Sequence, residues 1–187
     1  MRLHRGGTNA ALKTIAKDGH PAPRNRRPEQ VMNSGQPRTN AVAVRPLAAR
    51  DRTSWEAMWR AYLAFYDTDV TPEIRDITFA RLVASQGDGP HGLVAVAGDV
   101  PVGLVHYLYH AHCWRPEGVT YLQDLFVAPE ARRRGVARAL IEAVYRAADA
   151  AGRPAVYWMT QEHNHTARAL YDRIAVKTPF IKYGRQA

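Results

Sequence analysis

The chain has 187 residues, of which 46% are hydrophobic and 23% charged, and a formal net charge of +9. That is enough apolar content for one well-cored domain, and no apolar run approaches membrane length, so a transmembrane helix is excluded. The single cysteine, Cys113, can form neither an internal disulfide nor a cysteine-rich zinc site, which points to a reducing, cytoplasmic setting.

Residues 1–40 stand apart from the rest. They carry eight basic residues (Arg2, Arg5, Lys13, Lys17, Arg24, Arg26, Arg27 and Arg38) against Asp18 and Glu29, a net of +6 out of the +9. With frequent glycine, proline and asparagine and no sustained apolar face, this segment is expected to be a disordered basic extension. Three readings of it compete. Its cations suit a nucleic-acid or acidic-surface tether. Its arginine-rich, acid-poor composition suits an organelle transit peptide. The blandest reading is an extension without function, with Met32 as the true start.

From Ala41 the pattern is orderly, and residues 41–187 are expected to form one domain. Ala41 to Leu47 reads as a first strand. Asp51 or Thr53 can cap a helix to about Phe65, with Trp55, Met58, Trp59, Tyr62 and Phe65 on one face. Thr71-Pro72-Glu73 opens a second helix to about Ala84, the proline suiting its first turn. Gly92–Gly98 and Val100–His110 alternate as two strands joined by the turn at Gly98-Asp99. Tyr121 to Val127 is bulky and β-branched, as a buried strand requires, and Ala128-Pro129-Glu130 breaks it. Beyond Gly135, the residues Val136, Leu140, Ile141, Val144 and Ala148 recur at helical spacing until Gly152 and Pro154. Ala155–Thr160, Thr166–Ile174 and Phe180–Tyr183 follow as strand, helix and a short last strand.

The join before the long helix carries chemistry. Arg132-Arg133-Arg134-Gly135-Val136-Ala137 puts three arginines and a glycine where the helix begins, among backbone N–H groups that have no intrahelical partner. Those donors, the positive end of the helix dipole and the guanidiniums suit an anionic phosphate. The small Gly135 and Ala137 let a pyrophosphate come close to the backbone. A solvated basic turn after a strand is the competing reading of the arginines alone. Neither the dinucleotide nor the nucleoside-triphosphate glycine pattern is present.

Arg132-x-x-Gly135-x-Ala137 resembles the R/Q-x-x-G-x-G/A signature of the GCN5-related N-acetyltransferases (GNAT), and it sits in the same context of strand, proline-containing loop and long amphipathic helix. A second element follows in order, Asn164 with Tyr171 seven positions later, in N-H-T-A-R-A-L-Y. The resemblance covers roughly Val42 to Tyr183 and looks closest to the histone/polyamine-type and D-amino-acid N-acetyltransferases. It implies the α/β GNAT fold: a mixed, mostly antiparallel central sheet with helices on both faces, in the order β-α-α-β-β-β-α-β-α-β.

The resemblance also implies roles. Backbone groups of Leu125, Phe126 and Val127 would pair with the pantetheine arm of acetyl-coenzyme A. Arg132, Arg133, Arg134, Gly135, Val136 and Ala137 would hold its pyrophosphate, with Arg138 nearby, and Asn164 would orient the cosubstrate or cap its helix. Tyr171 is the family's general acid, and a phenol of reference pKa near ~10 is protonated at neutral pH. Ordinary core packing of its ring competes with that role. For the base, polyamine acetyltransferases of the family carry a glutamate in L-E-D where this chain reads Leu122-Gln123-Asp124. Asp124 is the nearest carboxylate, but strand alternation puts it on the opposite face from Gln123 unless a bulge rephases the strand. Water relayed through Asp124, Glu162 or a histidine would also serve.

Two further departures concern the substrate side. Ala175 stands where a glycine usually follows the catalytic tyrosine, and Val176 to Pro179 precedes Phe180. The acceptor pocket is expected from Tyr62, Phe65, Tyr66, Asp67, His106, His110, His112 and Trp114, with Trp158 and Glu162 closing it. Aromatics beside a carboxylate suit a cationic amine, although core packing of most of them competes. His110-x-His112 and His163-x-His165 lack the other ligands of a zinc site, and no metal is expected.

These readings converge on an acetyl-coenzyme A-dependent N-acetyltransferase acting by direct attack of a primary amine. The acceptor class stays open among small amines, amino acids, polyamines and protein lysines. Neither a membrane nor a nucleic acid is expected as partner, and relatives imply pairing of two copies through the final strands. Two rivals remain. One is a domain that binds acetyl-coenzyme A as a regulatory ligand without turnover, which Gln123 in the base position permits. The other is a nucleic-acid-associated protein acting through its basic tail.

Overall fold

The structure, a computed structural model, describes residues 42–185; the expected basic extension over residues 1–40 lies outside them. Five strands form one sheet in chain order: β1 (Val42–Pro46), β2 (His91–Ala97), β3 (Val100–His112), β4 (Arg115–Val127) and β5 (Val156–Tyr157). The first four are antiparallel neighbours, and β5 joins β4 in parallel. Side-chain alternation divides the sheet's apolar residues between its faces. Ala95, Val105 and Tyr107 pack with α3 (Val136–Ala150), while Val94, Val96 and Leu104 pack with α1 (Arg52–Phe65) and α2 (Pro72–Ala84). The result is two cores, one on each face, with the sheet between them.

The long helix α3 forms because its apolar residues recur on one stripe, and Leu140, Ile141 and Val144 on that stripe are fully buried. Leu140→Ala is expected to destabilise the fold by about 2–5 kcal/mol, the lost transfer energy plus a cavity that a sheet cannot close. Chemical denaturation would read this as a lower midpoint at an unchanged slope. On the other face, Trp55 is fully buried and its ring stacks on Trp59 at 5.0 Å.

The helix starts follow local chemistry. Thr71 accepts from the Ile74 N–H at 3.4 Å, and Pro72 occupies the first turn of α2 where no donor is needed. Asp51 stands at the N-cap position of α1 without capping it. Its carboxylate instead takes the Arg45 guanidinium at 2.7 and 2.8 Å and the Ala48 N–H at 2.9 Å, tying β1 to the start of the helix. The Arg45 hydrogen bond is the main reason the Asp51 carboxyl lies below the ordinary range.

Four expectations are corrected. β4 begins at Arg115 rather than Tyr121, because the β3–β4 hairpin continues through Val119 and Thr120 opposite His110 and Tyr109. Phe65 is exposed and Leu63 is buried instead; Phe65 closes the helix and packs edge-on against Tyr66 at 5.0 Å. Phe180–Tyr183 is not a strand of this sheet. Phe180, Ile181 and Tyr183 are 82%, 74% and 87% exposed. A strand needs an edge to pair with, and β5, spanning only Val156 and Tyr157 rather than Ala155–Thr160, offers almost none. Among the described residues, no helix is long and apolar enough to cross a membrane.

Candidate active site

The site is built where β4 parts from its neighbour. On one side β4 stays paired with β3 as far as Val127 opposite Gly103. On the other it meets β5 only at Thr120 and Tyr121, so from Leu122 to Val127 no described strand covers that edge. That uncovered edge carries backbone groups of Leu125, Phe126 and Val127. The Val127 carbonyl is engaged, accepting from Arg132 Nε at 3.1 Å.

A β-bulge lies at the start of this uncovered edge. Tyr107 pairs with Leu122 and His106 with Asp124, so Gln123 has no partner across the ladder. Under strict alternation Leu122 and Asp124 would share a face. Instead Leu122 enters the α3 core, while Asp124, 7% exposed, bonds to His106, which packs against Trp55 and Trp59 of α1. The rephasing that Asp124 required is therefore present. Gln123 is exposed, and its carbonyl accepts from the Tyr62 hydroxyl at 3.5 Å.

Asp124 Oδ2 lies 2.8 Å from His106 Nδ1, and Trp55 Nε1 donates to His106 Nε2 at 2.9 Å. The phenols of Tyr62 and Tyr121 are both raised, chiefly by burial, with the nearby Asp124 carboxylate adding to the effect. Tyr121 stacks on Tyr157 at 4.9 Å, and Tyr62 meets Tyr66 edge-on at 5.1 Å. A carboxylate thus sits among aromatic rings beside an open strand edge. Tyr121 was missed as a pocket residue; its place opposite Tyr157 depends on a strand pairing that neither segment announces locally.

Tyr171 comes from α4 (His165–Ile174), on the α3 face of the sheet. Asn164 fixes where that helix starts, its Oδ1 accepting from the Ala167 N–H at 3.2 Å and its Nδ2 donating to Thr160 at 3.3 Å. Of the two roles expected for Asn164, capping is the one the geometry displays. Tyr171 is half-buried, edge-on to Trp158 at 5.3 Å. Burial, with a smaller effect from Tyr66, pushes its phenol up to about 12. Tyr66 also acts on Tyr62 and Tyr121, so it stands between the two halves of the site. Asp124 thus lies with His106 on the α1 face of the sheet, and Tyr171 packs on the α3 face. Such a pair can take a proton on one side and give one on the other.

The start of α3 has the features of an anion site. No side chain caps it, and Arg132, Arg133, Arg134 and Gly135 are all exposed. Arg133 at φ 61° and Gly135 at φ 79° turn the chain left-handed, which aims successive N–H groups outward. Gly135 is needed for that backbone angle rather than for space, since an added Cβ would meet nothing within 4 Å. Gly103 is the reverse case: an added Cβ would come to 3.0 Å from the Phe126 carbonyl and 3.1 Å from Val136, so its smallness seats the helix start against the sheet. Val136 is buried in the α3 core and Ala137 half-buried, while Arg138 is drawn to Glu142 at 2.7 Å. These groups fit a pyrophosphate: an uncapped, positive helix end and exposed guanidiniums, of which Arg132 bonds the Val127 carbonyl and Arg138 pairs with Glu142.

The other expected pocket residues scatter. His106, 4% exposed, is a core group rather than a pocket wall. Trp158 lies behind Tyr171, between it and Tyr145. His110 Nε2 contacts the Tyr157 hydroxyl at 3.0 Å, and His112 and Trp114 sit at the exposed tip of the β3–β4 hairpin. Asp67 and Glu162 face solvent. Among the described residues no three His, Cys, Asp or Glu side chains gather as a metal site would need.

Comparison with known proteins agrees with this geometry. The model of the acetyltransferase (GNAT) family matches residues 55–175. A D-amino-acid N-acetyltransferase of Saccharomyces cerevisiae is 37% identical over 163 residues, covering 86% of this chain and 97% of that protein. A thialysine N-epsilon-acetyltransferase of Caenorhabditis elegans is 31% identical over 84 residues, 45% of this chain and 52% of that protein. Among solved structures, the aminoglycoside acetyltransferase AAC(6')-Iy with a coenzyme A bisubstrate analogue superposes with a TM-score of 0.68 at 18% identity, covering 79% of this chain and 99% of that one.

Proposed function

This chain belongs to the GNAT acetyltransferase family and is an acetyl-coenzyme A-dependent acetyltransferase, and from that premise we propose that it N-acetylates the primary amine of a free amino acid, with Asp124 as general base and Tyr171 as general acid. The observation that supports the reading is the bulge at Gln123, which turns a buried carboxylate to the α1 face on the stretch of β4 that β5 leaves unpaired. The amino-acid class is supported by the relative that spans nearly the whole chain, a D-amino-acid N-acetyltransferase.

Acetyl-coenzyme A supplies the acetyl group as a thioester. Arg132 to Arg138 hold the pyrophosphate at the start of α3, Leu125, Phe126 and Val127 offer the free strand edge, and Asn164 sets the helix that carries Tyr171. The neutral amine attacks the acetyl carbonyl, a C–N bond forms and the C–S bond breaks. The proton lost by nitrogen goes to Asp124, and the departing sulfur takes one from Tyr171. Solvent then restores both groups, so that amine and thioester become amide and thiol with protons balanced.

The reading is tested by thiol release from acetyl-coenzyme A over a panel of D- and L-amino acids, thialysine, polyamines and a lysine-containing peptide. Preferred turnover on free amino acids is the expected result; tight cosubstrate binding with no turnover on any amine would favour the regulatory alternative. Arg133→Ala with Arg134→Ala is expected to raise KM for acetyl-coenzyme A roughly tenfold while leaving the amine KM unchanged, since a hydrogen bond to a charged group contributes about 1.5–3 kcal/mol before solvent screening.

The exposed apolar segment Val176, Phe180, Ile181 and Tyr183 supports pairing of two copies. Phe180→Glu with Ile181→Glu is then expected to convert a dimer to a monomer in sedimentation equilibrium. The single cysteine, free and exposed, supports a cytoplasmic location.

A further inference from the structure

The groups behind Asp124 form a chain with only one consistent arrangement of protons. An indole N–H can only donate, so His106 Nε2, 2.9 Å from Trp55 Nε1, must present its lone pair. The ring proton of His106 therefore resides on Nδ1 and is donated to Asp124 Oδ2 at 2.8 Å. An imidazolium would set two N–H groups against each other at Trp55, so the ring is held neutral in this one tautomer. All three side chains are buried and come from three elements: α1, β3 and β4.

We infer that Trp55 and His106 are positioning residues for Asp124: the indole locks the imidazole tautomer, and the imidazole holds the carboxylate by one oxygen, leaving the other on the side of the Tyr62 hydroxyl to accept a proton. The inference rests on the proposed role of Asp124 as base. His106 bonds one oxygen at the rear, and the bulge determines which way the residue faces. A carboxylate fixed by one neutral donor keeps its charge available, whereas a histidinium partner would neutralise it. The arrangement also explains why a tryptophan is required at position 55 beyond its packing: phenylalanine would fill most of the space but could not set the tautomer.

The other titratable groups near Asp124 among the described residues are phenols: Tyr62 from α1 and Tyr121 from β4, with Tyr66 adjoining both. Burial keeps the Tyr62 and Tyr121 phenols raised.

The test needs no substitution at first. Histidine-ring nitrogen NMR of the full chain is expected to show His106 as a single Nδ1–H tautomer; an Nε2–H tautomer overturns the inference. Trp55→Phe is expected to release the lock and lower kcat about tenfold, a fraction of the ~100-fold or more at stake in the base itself, with the amine KM little changed. His106→Asn keeps an N–H donor near the Nδ1 position and should retain most of kcat. His106→Leu should lose it with the amine KM little changed, because the carboxylate is no longer held by a donor. If Trp55→Phe and His106→Leu merely melt earlier and keep wild-type kcat, the chain is a structural stitch between α1 and the sheet, and the inference fails alone. Full activity in Asp124→Asn would instead remove the premise, and the positioning role with it.

Discussion

Asp124→Asn is expected to lower kcat by about 100-fold or more while the protein stays folded and binds acetyl-coenzyme A as before, the loss that follows when a general base is removed. The substitution isolates the chemistry because it keeps the shape of the side chain. The amide oxygen can still accept from His106 Nδ1–H, so the buried contact at 2.8 Å survives and no orphaned donor is left in the core. What disappears is the ability to take a proton from the attacking amine. Steady-state kinetics with a saturating amine would read the effect as a fall in kcat and kcat/KM together, with a KM close to wild type. Retention of more than about a tenth of the activity would shift the base to water or to another group and leave Asp124 as a structural residue.

Tyr171→Phe has the second largest expected effect, a fall in kcat of roughly tenfold to a hundredfold. The ring remains edge-on to Trp158, so packing is preserved and only the hydroxyl is lost. The pH dependence makes the assignment sharper. Burial raises this phenol to about 12, so it is protonated throughout the neutral range and its acid form is lost only as pH rises through that value. The wild-type rate should accordingly show no alkaline limb from Tyr171 below about pH 10, and the variant should be slower at every pH without a change of profile. An alkaline limb between about pH 8 and 9 that vanishes in Tyr171→Phe would contradict the environment described for this residue.

Much of the fold was legible because its signals are local. The stripe of Val136, Leu140, Ile141 and Val144, the Thr71-Pro72 start of α2 and the alternation of β2 and β3 each follow from helix or strand geometry within about ten residues. The arginine–glycine turn before α3 was legible for the same reason, since a helix start and its chemistry are adjacent in the chain. Phe180–Tyr183 had the composition of a strand but no sheet edge to receive it, which composition cannot reveal. His106 reads in the sequence as one of several pocket histidines; only the pairing of β3 with β4 puts it opposite Asp124, and only α1 brings Trp55 to its far side.

The chain order of residues was therefore sufficient for the family and the sheet-and-helix plan, and it nominated the turn before α3 and Tyr171 as candidates. Whether Asp124 could serve as base was not decidable there, because strand alternation left two faces open. The unpaired residue at Gln123 decided which face Asp124 takes. A bulge is a property of two strands in register, set by which residues of β3 and β4 pair across the ladder, and that pairing exists only once the sheet has formed.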